Sequence, residues 1–240
     1  MGDLRELLIR EGIPIGEDRM SLLETYFDML SDWNERMDLT SVPPAEMPAR
    51  HFLDSLLPLR DTAYFFPGAR LIDVGSGAGF PGLALAAARP DVTVTLLEAQ
   101  GKRCRFLNAV RERLRLQNVA VIQDRAETLG RDPAHREGYD LAVARAVAGL
   151  NVLLEYLLPF VKEGGYALCW KGPAAEEELN DGRAAATALG GEIGAFREMI
   201  SPAMEGRHLI VPVYKCERTA PQYPRKNGMP AKRPLKADKK

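Results

Sequence analysis

Short apolar runs alternate with helix-like stretches along the middle of this 240-residue chain. The runs predict strands, and the stretches between them predict helices. In chain order the runs are RLIDV, TVTLLE, VAVIQ, YDLAVAR and YALCW. Alternation of this kind is typical of a mostly parallel sheet, because a parallel neighbour is reached only through a crossover connection, which is usually a helix. We therefore expect an α/β fold around one main core.

Different patterns precede and follow this alternation. Before it, apolar residues at helical spacing predict two helices, so residues 1–64 are interpreted as an N-terminal helical cap. After it, GGEIGAFREMI and RHLIVPVYK are separated only by SPAMEG, which favours an antiparallel hairpin at one edge of the sheet. Residues 65–216 are therefore expected to form the main domain.

The net charge of −1 conceals an uneven distribution of charge. Residues 215–240 carry nine Lys and Arg against two Asp and Glu, whereas residues 1–214 carry 23 against 31. From Thr219 onward Pro, Lys and Gly dominate without an apolar period, which predicts a basic, disordered tail over residues 217–240. Such a tail can attract nucleic acid, or it can serve only as a solvated segment.

The sequence also bears on location and on metal binding. Charged residues interrupt every apolar run that could become a membrane helix, and the N-terminus lacks the apolar core of a secretory signal. We therefore expect a cytoplasmic protein without a membrane partner. A monomer is a separate expectation, which these features do not decide. Cys104, Cys169 and Cys216 stand at unrelated spacings, and only three His accompany them, so neither a metal site nor a disulfide is expected.

Three glycines at alternate positions, Gly75, Gly77 and Gly79, follow the first predicted strand directly. Glycines there remove the Cβ atoms that would keep a ligand from the backbone. A dinucleotide-binding loop needs its third glycine one position later, so the spacing argues against NAD. Asp73 would sit badly beside a pyrophosphate but would attract a cationic amino acid group. S-adenosylmethionine carries such a group, and we predict it as the cofactor.

Two later strands end at residues that can hold an adenosine. Glu98 ends the second strand, where a carboxylate can accept hydrogen bonds from both ribose hydroxyls. Ala126 and Glu127 follow the third strand, at a natural place for the adenine edge. Glu127 can equally be only an acidic residue in the first turn of the next helix, where the helix dipole stabilises a carboxylate. Spacing leaves both interpretations open.

Six segments together resemble a known family: HFLDSLL, LIDVGSGAGFPG, LLEAQGKRCRFL, VARAVA, LCWKG and GRHLIV. In their order and spacing they look like the RsmG (GidB) family, the 16S rRNA (guanine(527)-N7)-methyltransferases, over residues 4–215. The resemblance implies a Rossmann-like, seven-stranded methyltransferase fold with an N-terminal helical extension. It also implies S-adenosylmethionine as methyl donor and a guanosine of the small ribosomal subunit, or of its assembly intermediate, as substrate. Asp38 and ARAVAGL depart from the family's usual residues.

The same resemblance assigns roles to individual residues. The implied cofactor contacts are Gly75, Phe80, Ala126, Glu127 and Arg145, with Glu98 on the ribose. We assign RNA contacts to Lys102, Arg103, Lys171 and Arg207. The first two open a basic helix that can face phosphates or can simply be solvated, whereas the last two stand near strand ends, beside the expected cofactor.

The chemistry of the implied reaction agrees with what the sequence lacks. Guanine N7 has a free lone pair, so methyl transfer to it requires neither a base nor a cysteine nucleophile, and alignment can provide much of the rate. The loop after the fourth strand lacks the Asn/Asp-Pro-Pro-aromatic sequence usual in exocyclic amine methyltransferases. Cys169 lacks the Pro-Cys context of cytosine C5 enzymes and is interpreted as a small buried hydrophobe.

Arg145 ends the fourth strand and should face the ligand crevice. Its guanidinium can donate to guanine O6, to a phosphate or to the cofactor, or it can form an ion pair with Glu98 or Glu127 that only orders the pocket. A cation close to N7 would oppose the positive charge that the base gains, so we assign Arg145 to orientation. His51 and Asp54 share a helix face, which favours a hydrogen bond between cap and main domain over catalysis.

Other classes of function stay open on the sequence. The same cofactor could serve methylation of a protein or a small molecule. A non-catalytic RNA-binding factor could use the basic helix and the basic tail. An NAD oxidoreductase is disfavoured by the spacing of the glycine loop.

Overall fold

The computed structural model describes residues 4–60, 64–145 and 148–237. The five predicted apolar runs form five parallel strands of one sheet, in the order β3-β2-β1-β4-β5. Their bounds are β1 (Arg70–Val74), β2 (Thr93–Glu98), β3 (Val119–Gln123), β4 (Tyr139–Arg145) and β5 (Val161–Lys171). Because these strands are parallel, their carboxyl ends all lie at one edge of the sheet. We call this edge the carboxyl rim.

Three further strands complete the sheet beyond β5: β6 (Gly191–Ile193), β7 (Arg197–Met199) and β8 (His208–Lys215). β8 is antiparallel to β5 on one side and to both β6 and β7 on the other. β6 and β7 pair with different parts of β8, so these two short strands share one position at the edge. The prediction of a mostly parallel sheet with an antiparallel edge is confirmed, and eight strands occupy the seven positions of the predicted seven-stranded sheet.

Helices connect the strands and cover both faces of the sheet. The main-domain helices are α4 (Gly82–Ala88), α5 (Gly101–Arg113), α6 (Ala126–Leu129), α7 (Leu150–Leu157) and α8 (Leu179–Ala188). The N-terminal part contains α1 (Leu4–Arg10), α2 (Glu17–Met37), a π-helical turn (Pro48–Leu53), α3 (Asp54–Leu56) and a 3₁₀ turn (Leu57–Arg60). Two further 3₁₀ turns are Leu158–Phe160 and Pro173–Ala175. In the part of the chain that the structure describes, no helix combines the length and the apolar character needed to cross a membrane.

The N-terminal helices pack directly on the glycine loop. Tyr26 of α2 is fully buried, and its hydroxyl donates to the Ala78 carbonyl at 2.5 Å. Its ring stacks on Phe80, with 5.2 Å between the ring centroids. The cap and this face of the sheet share one hydrophobic core. The boundary between cap and main domain near residue 64 therefore stays a prediction.

Gly79 is required by this packing. A Cβ built on Gly79 would lie 2.3 Å from the Tyr26 hydroxyl, and the φ angle of Gly79 is +100°. We expect Gly79→Ala to lower the free energy of unfolding by about 2–4 kcal/mol, because overpacking and left-handed strain add. Gly68→Ala is the matched control: its φ is +81°, and a Cβ there meets no atom of the described residues within 4 Å. Denaturant unfolding should show a loss of only about 1–2 kcal/mol for the control; equal losses would contradict the packing argument.

The C-terminal segment differs from the predicted disorder. Residues 217–237, here called the C-terminal strap, pack against the main domain and include a short helix, α9 (Met229–Lys232). Arg225 pairs with the fully buried carboxylate of Glu155 at 2.5 Å. Composition missed this because the strap is docked by ion pairs and backbone hydrogen bonds, which leave no apolar period in the sequence. Residues 238–240 of the predicted tail lie outside the described residues.

Candidate active site

The glycine loop has two distinct faces at the carboxyl end of β1. Gly75, Gly77 and Gly79 have φ angles of +76°, +58° and +100°, a region that favours glycine. A Cβ on Gly77 would have the Gly75 carbonyl oxygen, at 3.9 Å, as its nearest atom among the described residues outside its chain neighbours. Gly77 therefore leaves room for a ligand, whereas Gly79 serves the packing of the cap.

Asp73 is fully buried beneath this loop. Its Oδ2 accepts a hydrogen bond from the Gly82 N–H at 3.0 Å and so anchors the start of α4, a role that sequence reasoning missed. Its Oδ1 has no hydrogen-bond partner among the residues that the structure describes. Burial raises the pKa of Asp73 to about 7. A cationic group placed against Oδ1 would satisfy that oxygen and favour the charged carboxylate, so the site fits the cationic amino group predicted for the cofactor.

Glu98, at the end of β2, is hydrogen-bonded to the backbone of the glycine loop. Its Oε2 accepts from the Gly77 N–H at 2.9 Å, and its Oε1 accepts from the Gln100 N–H at 2.8 Å. Only 5% of the residue is exposed. A carboxylate offers about four lone-pair sites, so Glu98 retains capacity to accept from a ribose hydroxyl as well. The structure thus adds a supporting role to the predicted one.

Ala126 and Glu127 form the first turn of α6, directly after β3. Glu127 is 6% exposed, and its Oε1 accepts from the Gly228 N–H of the strap at 2.8 Å. The first-turn position matches one of the two open interpretations. The strap contact matches neither, and local spacing could not have found it because Gly228 stands 101 residues further along the chain.

Arg145, at the end of β4, is bound by the cap. Its Nη1 donates to Asp54 Oδ2 and to the Arg50 carbonyl, both at 3.0 Å. Its guanidinium carbon lies 5.1 Å from the centroid of the Phe80 ring. Within the described residues, its ion pair is with Asp54 and not with Glu98 or Glu127, so the alternative pairing considered from the sequence is wrong.

The protonation of His51 follows from Arg145. Arg145 Nη2 can only donate, so His51 Nδ1, at 2.9 Å, must accept. His51 is then neutral, and its Nε2–H donates to Thr40 Oγ1 at 2.7 Å. Burial and then the charge of Arg145 lower the pKa of His51 to about 3. Asp54 Oδ1 also accepts a hydrogen bond from His208 Nδ1, at 2.9 Å. This hydrogen bond raises the pKa of His208. The predicted link between cap and main domain through His51 and Asp54 is confirmed.

Phe80 joins the glycine loop to the cap. Its ring stacks on those of Tyr26 and His51, with centroid separations of 5.2 and 4.8 Å. Only 4% of the residue is exposed. This packing fixes the loop, and the implied contact between Phe80 and the cofactor stays a prediction.

A cavity of about 540 Å³ opens at the carboxyl rim between the cap and the ends of β4 and β5. It brings together three of the predicted site residues, Arg145, Lys171 and Arg207. The side chains that also line it include those of Thr40, Arg50, His51, Asp54, Trp170 and His208. The volume lies in the usual range for a small-molecule or nucleoside site. Sequence reasoning missed the contribution of Thr40 and Arg50, for which local patterns offered no signal.

The four predicted RNA contacts fall into two groups. Lys171 and Arg207 line the cavity, where Lys171 pairs with Glu178 at 2.7 Å and Arg207 with Glu176 at 3.0 Å. Lys102 and Arg103 begin α5 and lie outside the residues that line this cavity. Lys102 Nζ donates to the Met37 carbonyl at 3.2 Å, and Arg103 Nη1 lies 3.9 Å from Glu98 Oε2.

Solved structures share this arrangement of strands and helices. One is a 16S rRNA (adenine(1408)-N(1))-methyltransferase mutant from Catenulisporales acidiphilia with cosubstrate SAM, at TM-score 0.51 and 18% identity over 64% of this chain and 88% of the other. Another is the [4+2]-cyclase SpnF, at TM-score 0.51 and 19% identity over 68% of this chain and 80% of the other. At these identities the likeness concerns the fold alone. The order of the strands, the helices between them and the glycine loop are those of a Rossmann-like methyltransferase fold, here with additional N-terminal helices.

Sequence comparison identifies the family. The profile of GidB, rRNA small subunit methyltransferase G, matches residues 19–209. The ribosomal RNA small subunit methyltransferase G of Alkaliphilus metalliredigens is 44% identical over 94% of this chain and 94% of that protein. The protein of the same name from Alkaliphilus oremlandii is 42% identical over 98% of this chain and 100% of its own length. This chain belongs to the GidB family, as its motifs predict.

Proposed function

We propose that this chain transfers a methyl group from S-adenosylmethionine to N7 of a guanosine in 16S rRNA, guanosine 527 by the family resemblance. The methylation of small-subunit rRNA is supported by membership of the GidB family. The choice of guanine N7 rests on the resemblance in sequence and on the lack of a required base or cysteine nucleophile in N7 chemistry. The cavity beside Arg145 supplies a site of suitable size, and two of its lining residues, Arg145 and His51, contact the ring of Phe80 at the end of the glycine loop.

The cofactor would be held by residues at the carboxyl ends of β1, β2 and β3. Gly75 and Gly77 would let its amino acid part approach the backbone, and Asp73 would pair with the cationic amino group through its unused oxygen. Glu98 would accept from the ribose, and the turn at Ala126 and Glu127 would meet the adenine edge. When bound, S-adenosylmethionine supplies a methyl group activated by a sulfonium.

The chain's own groups favour alignment over acid–base catalysis. Arg145 would orient the guanine through O6 or a neighbouring phosphate, at the border between cap and sheet. Its ion pair with Asp54 at 3.0 Å offsets part of its positive charge, which reduces the repulsion that an isolated cation would exert on the methylated N7. His51 is neutral and engaged on both ring nitrogens. Cys169 is fully buried, and burial raises its pKa to about 12, so a thiolate nucleophile there is disfavoured.

The RNA partner would meet the protein at the cavity mouth. Lys171 and Arg207 would contact the RNA backbone beside the cofactor, and Lys102 and Arg103 would contact it from the start of α5. We further propose that the chain acts as a monomer in the cytoplasm, where its ribosomal substrate is assembled. Size-exclusion chromatography with light scattering tests the oligomeric state.

The decisive experiment is transfer of labelled methyl from S-adenosylmethionine to unmodified small ribosomal subunits. Naked 16S rRNA, tRNA and bulk protein are run in parallel, and the RNA is digested to nucleosides. We expect the label in 7-methylguanosine from small-subunit rRNA. Label in another nucleoside or in protein would overturn the N7 assignment, and RNA binding without transfer to any of these substrates would favour a non-catalytic factor.

A further inference from the structure

The C-terminal strap divides its basic side chains into two groups. Arg218 and Arg225 pair with main-domain carboxylates, at 2.9 Å to Glu137 and 2.5 Å to Glu155. Four others are exposed and form no ion pair with any residue that the structure describes: Lys226, Lys232, Arg233 and Lys236. The docking of the strap therefore does not use these four cations.

The docking contacts fix the position of the strap. Glu155 is fully buried, and the backbone N–H, Nε and Nη2 of Arg225 all donate to its carboxylate. Arg136 donates to the carbonyls of Thr219 and Tyr223, at 2.6 and 2.7 Å. A buried carboxylate with a two-pronged Arg partner is specific in geometry as well as in charge. The strap is thus held in one place, unlike a solvated tail.

The part of the strap from Gly228 to Leu235 lies at the carboxyl rim. The Gly228 N–H donates to Glu127, in the first turn of the helix that follows β3. The Leu235 carbonyl accepts from Asn151 at 2.6 Å, in the first turn of the helix that follows β4. Helices that follow parallel strands begin at the carboxyl rim, where ligands of such sheets bind. The four unpaired cations lie within or next to this part of the strap, which contacts Glu127 of the proposed cofactor site.

We propose that the strap is a binding surface for the backbone of the substrate RNA along the carboxyl rim, beside the proposed cofactor site. The phosphate contacts are Lys226, Lys232, Arg233 and Lys236. This inference rests on the proposed function, because it takes the substrate to be RNA. Residues 1–214 carry 23 Lys and Arg against 31 Asp and Glu, so the body of the protein offers the RNA little net attraction. Cations fixed at the rim supply it locally, through release of the counterions that neutralise the phosphates.

Two double variants test the surface, Lys232→Gln with Arg233→Gln and Lys226→Gln with Lys236→Gln. Each removes two positive charges and leaves the docking residues intact. With small ribosomal subunits as substrate we expect each to raise KM about tenfold, with kcat and the Kd for S-adenosylmethionine changed less than twofold. The slope of log Kd for 16S rRNA against log salt should fall by about 1.5 for each pair, because each phosphate contact contributes about 0.7–0.9.

The control is Arg10→Gln with Arg19→Gln, which removes two positive charges from the N-terminal helices α1 and α2. Arg19 lies near the start of α2, about 27 Å along the helix from Met37 at its other end. The Met37 carbonyl accepts from Lys102, one of the proposed RNA contacts, so Arg19 is far from that contact. Equal effects in the control and the strap variants would show a general charge effect and overturn the inference. Unchanged KM and salt slope in the strap variants, with methylation intact, would also overturn it while the proposed function stands. Failure of the unmodified protein to methylate RNA would count against the proposed function itself.

Arg225→Gln separates a fixed surface from a tethered charge. This variant keeps all four cations but removes the ion pair with Glu155 that holds the strap. We expect KM to rise as in the double variants, with faster amide hydrogen exchange confined to residues 217–237. An unchanged KM with a released strap would overturn the fixed surface. The double variants decide the question independently if Arg225→Gln does not fold.

Discussion

Arg145→Ala is expected to lower kcat about 100-fold or more, while general affinity for RNA changes less than about threefold. Loss of alignment of this order follows when a group that orients a reactant is removed. Arg145 is the residue that the structure places between the cap, the Phe80 ring and the cavity. Single-turnover methylation of small ribosomal subunits measures the chemical step, and a binding assay at fixed salt measures RNA affinity.

Two controls separate orientation of the substrate from loss of structure. Arg145→Lys keeps the charge but cannot reproduce the paired contacts to Asp54 and His51, so most of the loss should remain. Asp54→Asn keeps the shape of the partner and should cost less in kcat than Arg145→Ala. Thermal unfolding shows how far each change destabilises the cap. Intact turnover in Arg145→Ala would end the assigned role.

Asp73→Asn is expected to weaken binding of S-adenosylmethionine about 10- to 100-fold near pH 8. An uncharged amide cannot pair with a cationic amino group, and a hydrogen bond to a charged group contributes about 1.5–3 kcal/mol. The amide oxygen can still accept from the Gly82 N–H, so α4 keeps its anchor. Asp73→Ala removes both contacts and should also lower stability. Calorimetric titration measures the Kd, and an unchanged Kd in Asp73→Asn would contradict the assigned role.

The same residue predicts how cofactor affinity depends on pH. Without a ligand, burial raises the pKa of Asp73 from 3.8 to about 7. A raised acidic pKa favours the protonated form, so its contribution to stability is present below pH 3.8 and lost as the pH rises through about 7. A cationic ligand needs the ionised carboxylate, so binding must release a proton below pH 7. We expect affinity to fall up to tenfold per pH unit below about 7, and Asp73→Asn to lack this slope.

Asp73 and Arg145 differ in how much of their surroundings can be predicted from the sequence. Asp73 is predicted from its place before the glycines, and the structure places it beneath the loop with one oxygen unused by the described residues. Arg145 was found from its place at a strand end, but its partners were not, because Asp54 stands 91 residues earlier in the cap. The role of Gly79 was also changed, because the hydroxyl that requires a glycine there belongs to Tyr26 of α2.

The sequence by itself determined the sheet, the glycine loop and the family. Strand and helix periods, glycine spacing and motif order are local properties, and each can be read over a few residues. Only the tertiary structure decided which side chains meet across elements: Asp54 with Arg145, Tyr26 with the glycine loop, and Gly228 with Glu127. The tertiary structure also positions the strap. Arg225 and the buried Glu155 stand 70 residues apart in the sequence, and only the fold brings them into contact. Composition gives only the number of charged residues in a segment, and that number does not say which charges meet in the folded protein.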